Sequence, residues 1–145
     1  MLEPHSSPGA AAVLRSLLDA TNAHDIDAIV ALFAPDYRNE TPAHPARGFT
    51  GNEQVRRNWR QILAAVPDLR AEVVASAVSG DTVWSEWEHL GTRPDGTAHV
   101  MRGVIVFTTA GGLITSARFF LEPVDSSDAG VDAAVHRQVR PGTGQ

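Results

Sequence analysis

The feature that most constrains this chain is a change of period at Pro67. Ahead of it apolar residues recur every three or four positions, and beyond it every second one, in segments separated by turn residues. Val13, Leu14, Leu17, Leu18 and Thr21 define one amphipathic helix over about 10–23. Asn22-Ala23-His24-Asp25 breaks it, and Asp25 is placed to cap a short second helix carrying Ile26, Ile29, Leu32 and Phe33 that has ended by Pro35. The alternation in Asp36-Tyr37-Arg38-Asn39-Glu40-Thr41-Pro42 predicts a short strand, followed by a long loop around Pro42, Pro45 and Gly48. Asn52, after Gly51, reads as the N-cap of a third helix whose apolar face is Val55, Trp59, Ile62, Leu63 and Val66.

Past Pro67 four β-rich segments follow: 69–79, 82–90, 98–109 and 113–124. Gly80-Asp81, Arg93-Pro94-Asp95-Gly96 and Gly111-Gly112 separate them, so hairpin-length connections make an antiparallel meander. Three N-terminal helices packed on a curved antiparallel sheet describe an α+β cone, in which the helices cover one face and a pocket opens between the layers. The 145 residues suit one domain over 10–125. A flexible arm over 1–9 precedes it, and a tail over 126–145, disordered or partly helical near 131–138, follows.

Composition removes whole classes of chemistry. Cysteine is absent, which excludes a thiolate nucleophile and sulfur-ligated metals. All twelve basic residues are Arg, so no lysine is present to form a Schiff base. A formal charge of −5 argues against a nucleic-acid partner, which draws on clustered cations. No run approaches the length of a membrane span, and Met1 to Gly9 has neither part of a secretory signal, so the expected setting is cytoplasmic. Histidines and carboxylates do not fall at metal-ligand intervals, and Gly111-Gly112 belongs to a turn rather than a phosphate loop; no metal and no cofactor is expected.

Strand alternation then sorts the candidates. On 82–90, Ser85, Trp87 and His89 share one face, while Trp84, Glu86 and Glu88 share the other. Two carboxylates in an apolar cavity are costly unless paired, so the first face is assigned to the pocket. His89 is the leading general acid/base, because an imidazole titrates near neutral pH. Tyr37, Asn39 and Thr41 alternate onto one side and offer a phenol, an amide and a hydroxyl to a ligand oxygen. Trp87 is expected to line the pocket. Trp59 either packs the core or floors the cavity, and His44 either lies on the surface or closes over the mouth. Glu86, Glu88, Arg102, Arg118 and Glu122 form opposite charges on neighbouring strands; Glu122 is the alternative catalytic carboxylate among them. Trp84 on the acidic outer face points to a homodimer built there.

Several local signals resemble the SnoaL-like branch of the nuclear transport factor 2-like superfamily. They are Phe33-Ala34-Pro35-Asp36-Tyr37, Gly51-Asn52-Glu53-Gln54-Val55, Val66-Pro67-Asp68-Leu69, Gly91-Thr92, Arg102-Gly103-Val104-Ile105-Val106-Phe107 and Gly112-Leu113-Ile114. The resemblance spans roughly 10–125 and implies a cone-shaped fold with a small-molecule cavity, which Ile105, Phe119 and Leu121 would help to line. The chain also resembles limonene-epoxide hydrolases, whose water-holding Tyr and Asn fall on Tyr37 and Asn39. Their catalytic Asp, Arg and Asp fall instead on His89, Trp87 and Phe119. Relative to ketosteroid isomerases, the carboxylate base falls on Thr41 and the oxyanion-side acid on Ile105. What the resemblance implies is therefore a cofactor-independent cyclase, isomerase or hydratase working on a hydrophobic oxygenated molecule without those families' carboxylates. A non-catalytic binder of the same fold stands as the alternative.

Overall fold

The computed structural model describes residues 8–141. Helix α1 spans Ala10–Asn22 and buries Val13, Leu14 and Leu17, the stripe expected from its spacing. Helix α2 spans Ile26–Ala31, and its Asp25 cap accepts a hydrogen bond from the Ala28 N–H at 3.0 Å. The second helix therefore stops before Phe33. Phe33 instead opens strand β1, Phe33–Glu40, and Pro35 sits inside the strand. The register of β1 against its neighbour shifts between Phe33 and Arg38, an irregularity that accommodates a residue with no N–H to donate.

After a short turn of 3-10 helix, Pro45–Arg47, strand β2 covers Phe49–Thr50 and helix α3 covers Asn52–Ala65. Asn52 is not the N-cap. Gly51 holds that position at φ 99°, and the Asn52 amide donates to the Phe33 carbonyl at 3.3 Å, tying α3 to β1. Strands β3, Arg70–Ser79, β4, Thr82–Thr92, β5, Ala98–Ala110, and β6, Leu113–Pro123, form the expected meander.

The sheet has six strands rather than four, in the order β2-β1-β6-β5-β4-β3. β1 lies parallel to β6 and extends the meander, and β2 pairs antiparallel on the outside of β1. The sheet is curved and unclosed, with the helices packed on its concave face. Gly103 marks one site of curvature, with φ 153° and no room for a side chain: a Cβ there would lie 2.0 Å from the Phe120 carbonyl oxygen.

The core fills the narrow end of the cone. Ile29, Val83, Phe107 and Ile114 are essentially inaccessible, and α1 crosses β3, β4 and β5 above them. At the end of α1, the Asn22 side chain donates to the Ala71 carbonyl at 2.9 Å and accepts from the Ala71 N–H at 2.7 Å. Beyond the sheet, helix α4, Val131–Val139, falls within the tail, with Val131, Val135 and Val139 exposed. The expected arm overlaps the described residues only at Pro8 and Gly9, both exposed; the rest of it, and 142–145, lie outside them. No helix among the described residues is long and apolar enough to cross a membrane.

Candidate active site

Helix α3 shows where the cone is open. Its apolar face is as expected, yet within the helix only Val55 is fully buried, and Val66 at the C-cap; Trp59 and Ile62 between them remain half-buried. A stripe that faces the sheet without being packed faces a space. That space is a cavity of about 280 Å³ between α3, β1 and the wide end of the sheet, and a 40 Å³ chamber lies next to it. Phe33, Trp59, His89 and Phe119 line both. Phe49, Met101 and Leu121 complete the apolar wall of the larger one, and Trp87 and Ile105 face the smaller.

His89 sits at the junction. Register across β4 and β5 places Ser85, Trp87 and His89 opposite Ile105, Gly103 and Met101, so all three point to the concave side. The imidazole packs edge-on against Trp87, with ring centres 5.7 Å apart and planes at 86°, and lies tilted at 49° to Trp59 with centres 6.3 Å apart. It is 8 % exposed. This apolar enclosure penalises the charged form and lowers the His89 pKa to about 4, with a smaller contribution from His99, so the ring is neutral at pH 7. His89 takes no part in the side-chain hydrogen bonds among the described residues, and no buried side-chain polar atom is left without a partner. Its ring nitrogens therefore open on the cavity, one as donor and one as acceptor.

Ser85 lies behind this layer rather than on the cavity wall. It is buried, donates to the Ile105 carbonyl at 2.7 Å and accepts from the Trp87 indole N–H at 2.8 Å. That pair of bonds fixes the indole ring against which His89 rests.

On the opposite wall, Tyr37, Asn39 and Thr41 are brought together, but they spend their hydrogens on one another. The Tyr37 hydroxyl donates to Asn39 Oδ1 at 2.7 Å, and Asn39 Nδ2 donates to Thr41 Oγ1 at 3.5 Å. Tyr37 is 1 % exposed, and burial raises its pKa. It borders the cavity, but its hydroxyl hydrogen is spent on Asn39. The hydroxyl hydrogen left over at the end of the chain is that of Thr41.

His44 takes the surface alternative, and Glu122 stands on the charged outer face as a pairing residue. His44 donates from Nε2 to Glu122 Oε1 at 3.2 Å, both side chains partly exposed, and neither lines the cavity. Glu122 lies opposite Arg102 on the convex face, in the band of charges where Arg102 also pairs with Glu88. Among the described residues no carboxylate lines either chamber, and no three His, Cys, Asp or Glu side chains converge to hold a metal.

Three lining residues escape a reading of periodicity: Arg47, from the turn before β2, Phe49, on β2, and Asn58, on α3. Asn58 carries a signal after all, since it interrupts the apolar stripe between Val55 and Ile62. Arg47, in a loop, belongs to no period.

An α+β cone with its concave face half covered by helices and an apolar, partly polar cavity at the wide end is the architecture of the nuclear transport factor 2-like class. Residues 14–117 match the SnoaL-like domain, and the chain belongs to that family. No curated protein sequence matches it. Among solved structures it is similar to Rv0760c of Mycobacterium tuberculosis in complex with estradiol-17β-hemisuccinate: 25 % identity over 79 % of this chain and 94 % of that one, TM-score 0.67. A SnoaL-like protein of unknown function from Burkholderia thailandensis shares 27 % identity over 80 % and 95 %, TM-score 0.62. IdmH of Streptomyces antibioticus, a candidate polyketide cyclase, shares 21 % over 78 % and 91 %, TM-score 0.69.

Proposed function

We propose that this protein is a cofactor-independent cyclase, isomerase or hydratase that binds a hydrophobic oxygenated small molecule in the cone cavity and moves a proton with His89. One observation carries the reading: a neutral imidazole, clamped between two indoles, presents its nitrogens to an apolar cavity and to no protein partner. A neutral ring can accept a proton from a carbon or hydroxyl next to a ligand carbonyl. The imidazolium so formed is costly in that setting and gives the proton back at a second position, which leaves the ring neutral again. Asn39 and Thr41 orient the ligand oxygen from the facing wall. The steroid ester held by the mycobacterial relative supports an apolar, oxygen-bearing ligand.

The test is turnover of an aromatic polyketide-type ketone by the parent and by His89→Gln. The variant is expected to keep affinity and lose roughly 10²–10⁴ in rate, the usual contribution of a general acid/base. Unchanged turnover rejects the role of His89. A second reading, a non-catalytic binder, is favoured by the absence of any lining carboxylate among the described residues; binding without turnover across such ketones selects it. In either reading a second copy covers the convex face around Trp84 and Phe120.

A further inference from the structure

Apart from His89, which is neutral, the larger cavity is lined by a single ionisable side chain of permanent charge, that of Arg47. Its place is set by the backbone. Pro45 starts the 3-10 turn, and the Arg47 N–H closes it on the His44 carbonyl at 2.9 Å, so the side chain leaves a stiff corner at the cavity mouth. Arg38, Arg56 and Arg102 each hold a carboxylate. Among the ion pairs of the described residues none involves Arg47, and no lining carboxylate is at hand to neutralise it.

Asn58, on α3, adds a second donor to the lining of the same cavity. Arg57 donates to Gln54 Oε1, which turns the Gln54 amide so that its Nε2 donates to Asn58 Oδ1 at 2.7 Å. The chain of bonds has one direction. With its oxygen engaged by Gln54, Asn58 offers the cavity its N–H₂ group.

A guanidinium and an amide N–H₂ bordering an apolar space with no carboxylate in its lining, in a chain of net charge −5, make a local reversal of sign. We propose that the ligand is an apolar ring system bearing a carboxylate, which Arg47 and Asn58 hold at the mouth while the rings fill the space beneath Trp59. This rests on the cavity reading above and narrows its substrate class to organic acids. The volume of about 280 Å³ lies at the lower end of ligand sites, which suits a bicyclic acid.

Calorimetric titration with 6-hydroxy-2-naphthoate and its uncharged primary amide tests the assignment. The parent should bind the acid about tenfold tighter than the amide, the scale of one charge-assisted contact at a partly exposed site. Arg47→Gln should abolish that preference, the larger loss falling on the acid, and Asn58→Asp should invert it. Equal affinities in the parent, or a preference that survives Arg47→Gln, overturns the carboxylate anchor and leaves the cavity reading standing. Failure of the parent to bind either compound overturns the cavity reading itself.

Discussion

If His89 is held neutral by its surroundings, the fold must lose stability in mild acid through this one residue. The sign follows from the two states. An unfolded chain protonates His89 below its ordinary value of 6.5, whereas the folded chain resists until about 4. The stabilisation is therefore complete above pH 6.5, drains away as pH falls toward 4, and is flat below. At about 1.4 kcal/mol for each pH unit of displacement, the full effect is about 3 kcal/mol. By pH 5 the linkage relation puts the loss at about 2 kcal/mol. The assay is urea unfolding at a series of pH values from 8 to 4.5, run in parallel on the parent and His89→Gln. Glutamine does not titrate, and His99 together with the carboxylates is common to both proteins, so the difference between the two curves isolates His89. The variant should be less stable at pH 8, having lost its packing between Trp59 and Trp87, and the gap should close by about 2 kcal/mol at pH 5. Two curves that stay parallel across this range would refute the claim that enclosure keeps the ring neutral.

Two further outcomes follow from the sheet. Gly103→Ala combines a clash with the Phe120 carbonyl and a φ of 153°; overpacking and strain together predict a loss of about 3 kcal/mol in chemical denaturation. Trp84→Glu, placed on the convex face where Trp84 is 48 % exposed, should leave the monomer folded by circular dichroism and convert the proposed homodimer to monomer in light scattering. A parent that is already monomeric at micromolar concentration removes that proposal.

What could be read from the chain alone was what short-range chemistry decides. Helix α1, the Asp25 cap and the four meander strands follow from period and turn residues within a few positions of one another. The parallel pairing of β1 with β6 joins Asn39 to Ala117, and no local pattern announces a partner so distant. Phe33 illustrates the same limit: its spacing continues the second helix, but a bond from the Ile114 N–H to the Leu32 carbonyl draws the chain into the sheet one residue earlier. In the site, alternation placed Trp87 and His89 on the concave face because a strand has only two faces. It grouped Tyr37, Asn39 and Thr41, yet said nothing of whom they bond. Trp59 was ambiguous because core and cavity floor both call for an apolar helix face, and only incomplete packing separates the two.

Strand β3 closes the sheet on one side, and its free edge has consequences for behaviour in solution. Its first residues carry charge, Arg70 and Glu72, and Asn22 occupies the main chain of Ala71 like a strand of one residue. The remainder, Val73 to Ser79, holds no charge at all, and Val74 and Val78 are exposed. Such an edge is a template for another chain. The defence built into it is the register shift between Val73 and Ala75, which breaks the row of open main-chain groups into two short pieces. A substitution that straightened this kink would leave folding and cavity intact and still turn the protein toward fibrous association, held off only by the mutual repulsion of its surplus negative charge.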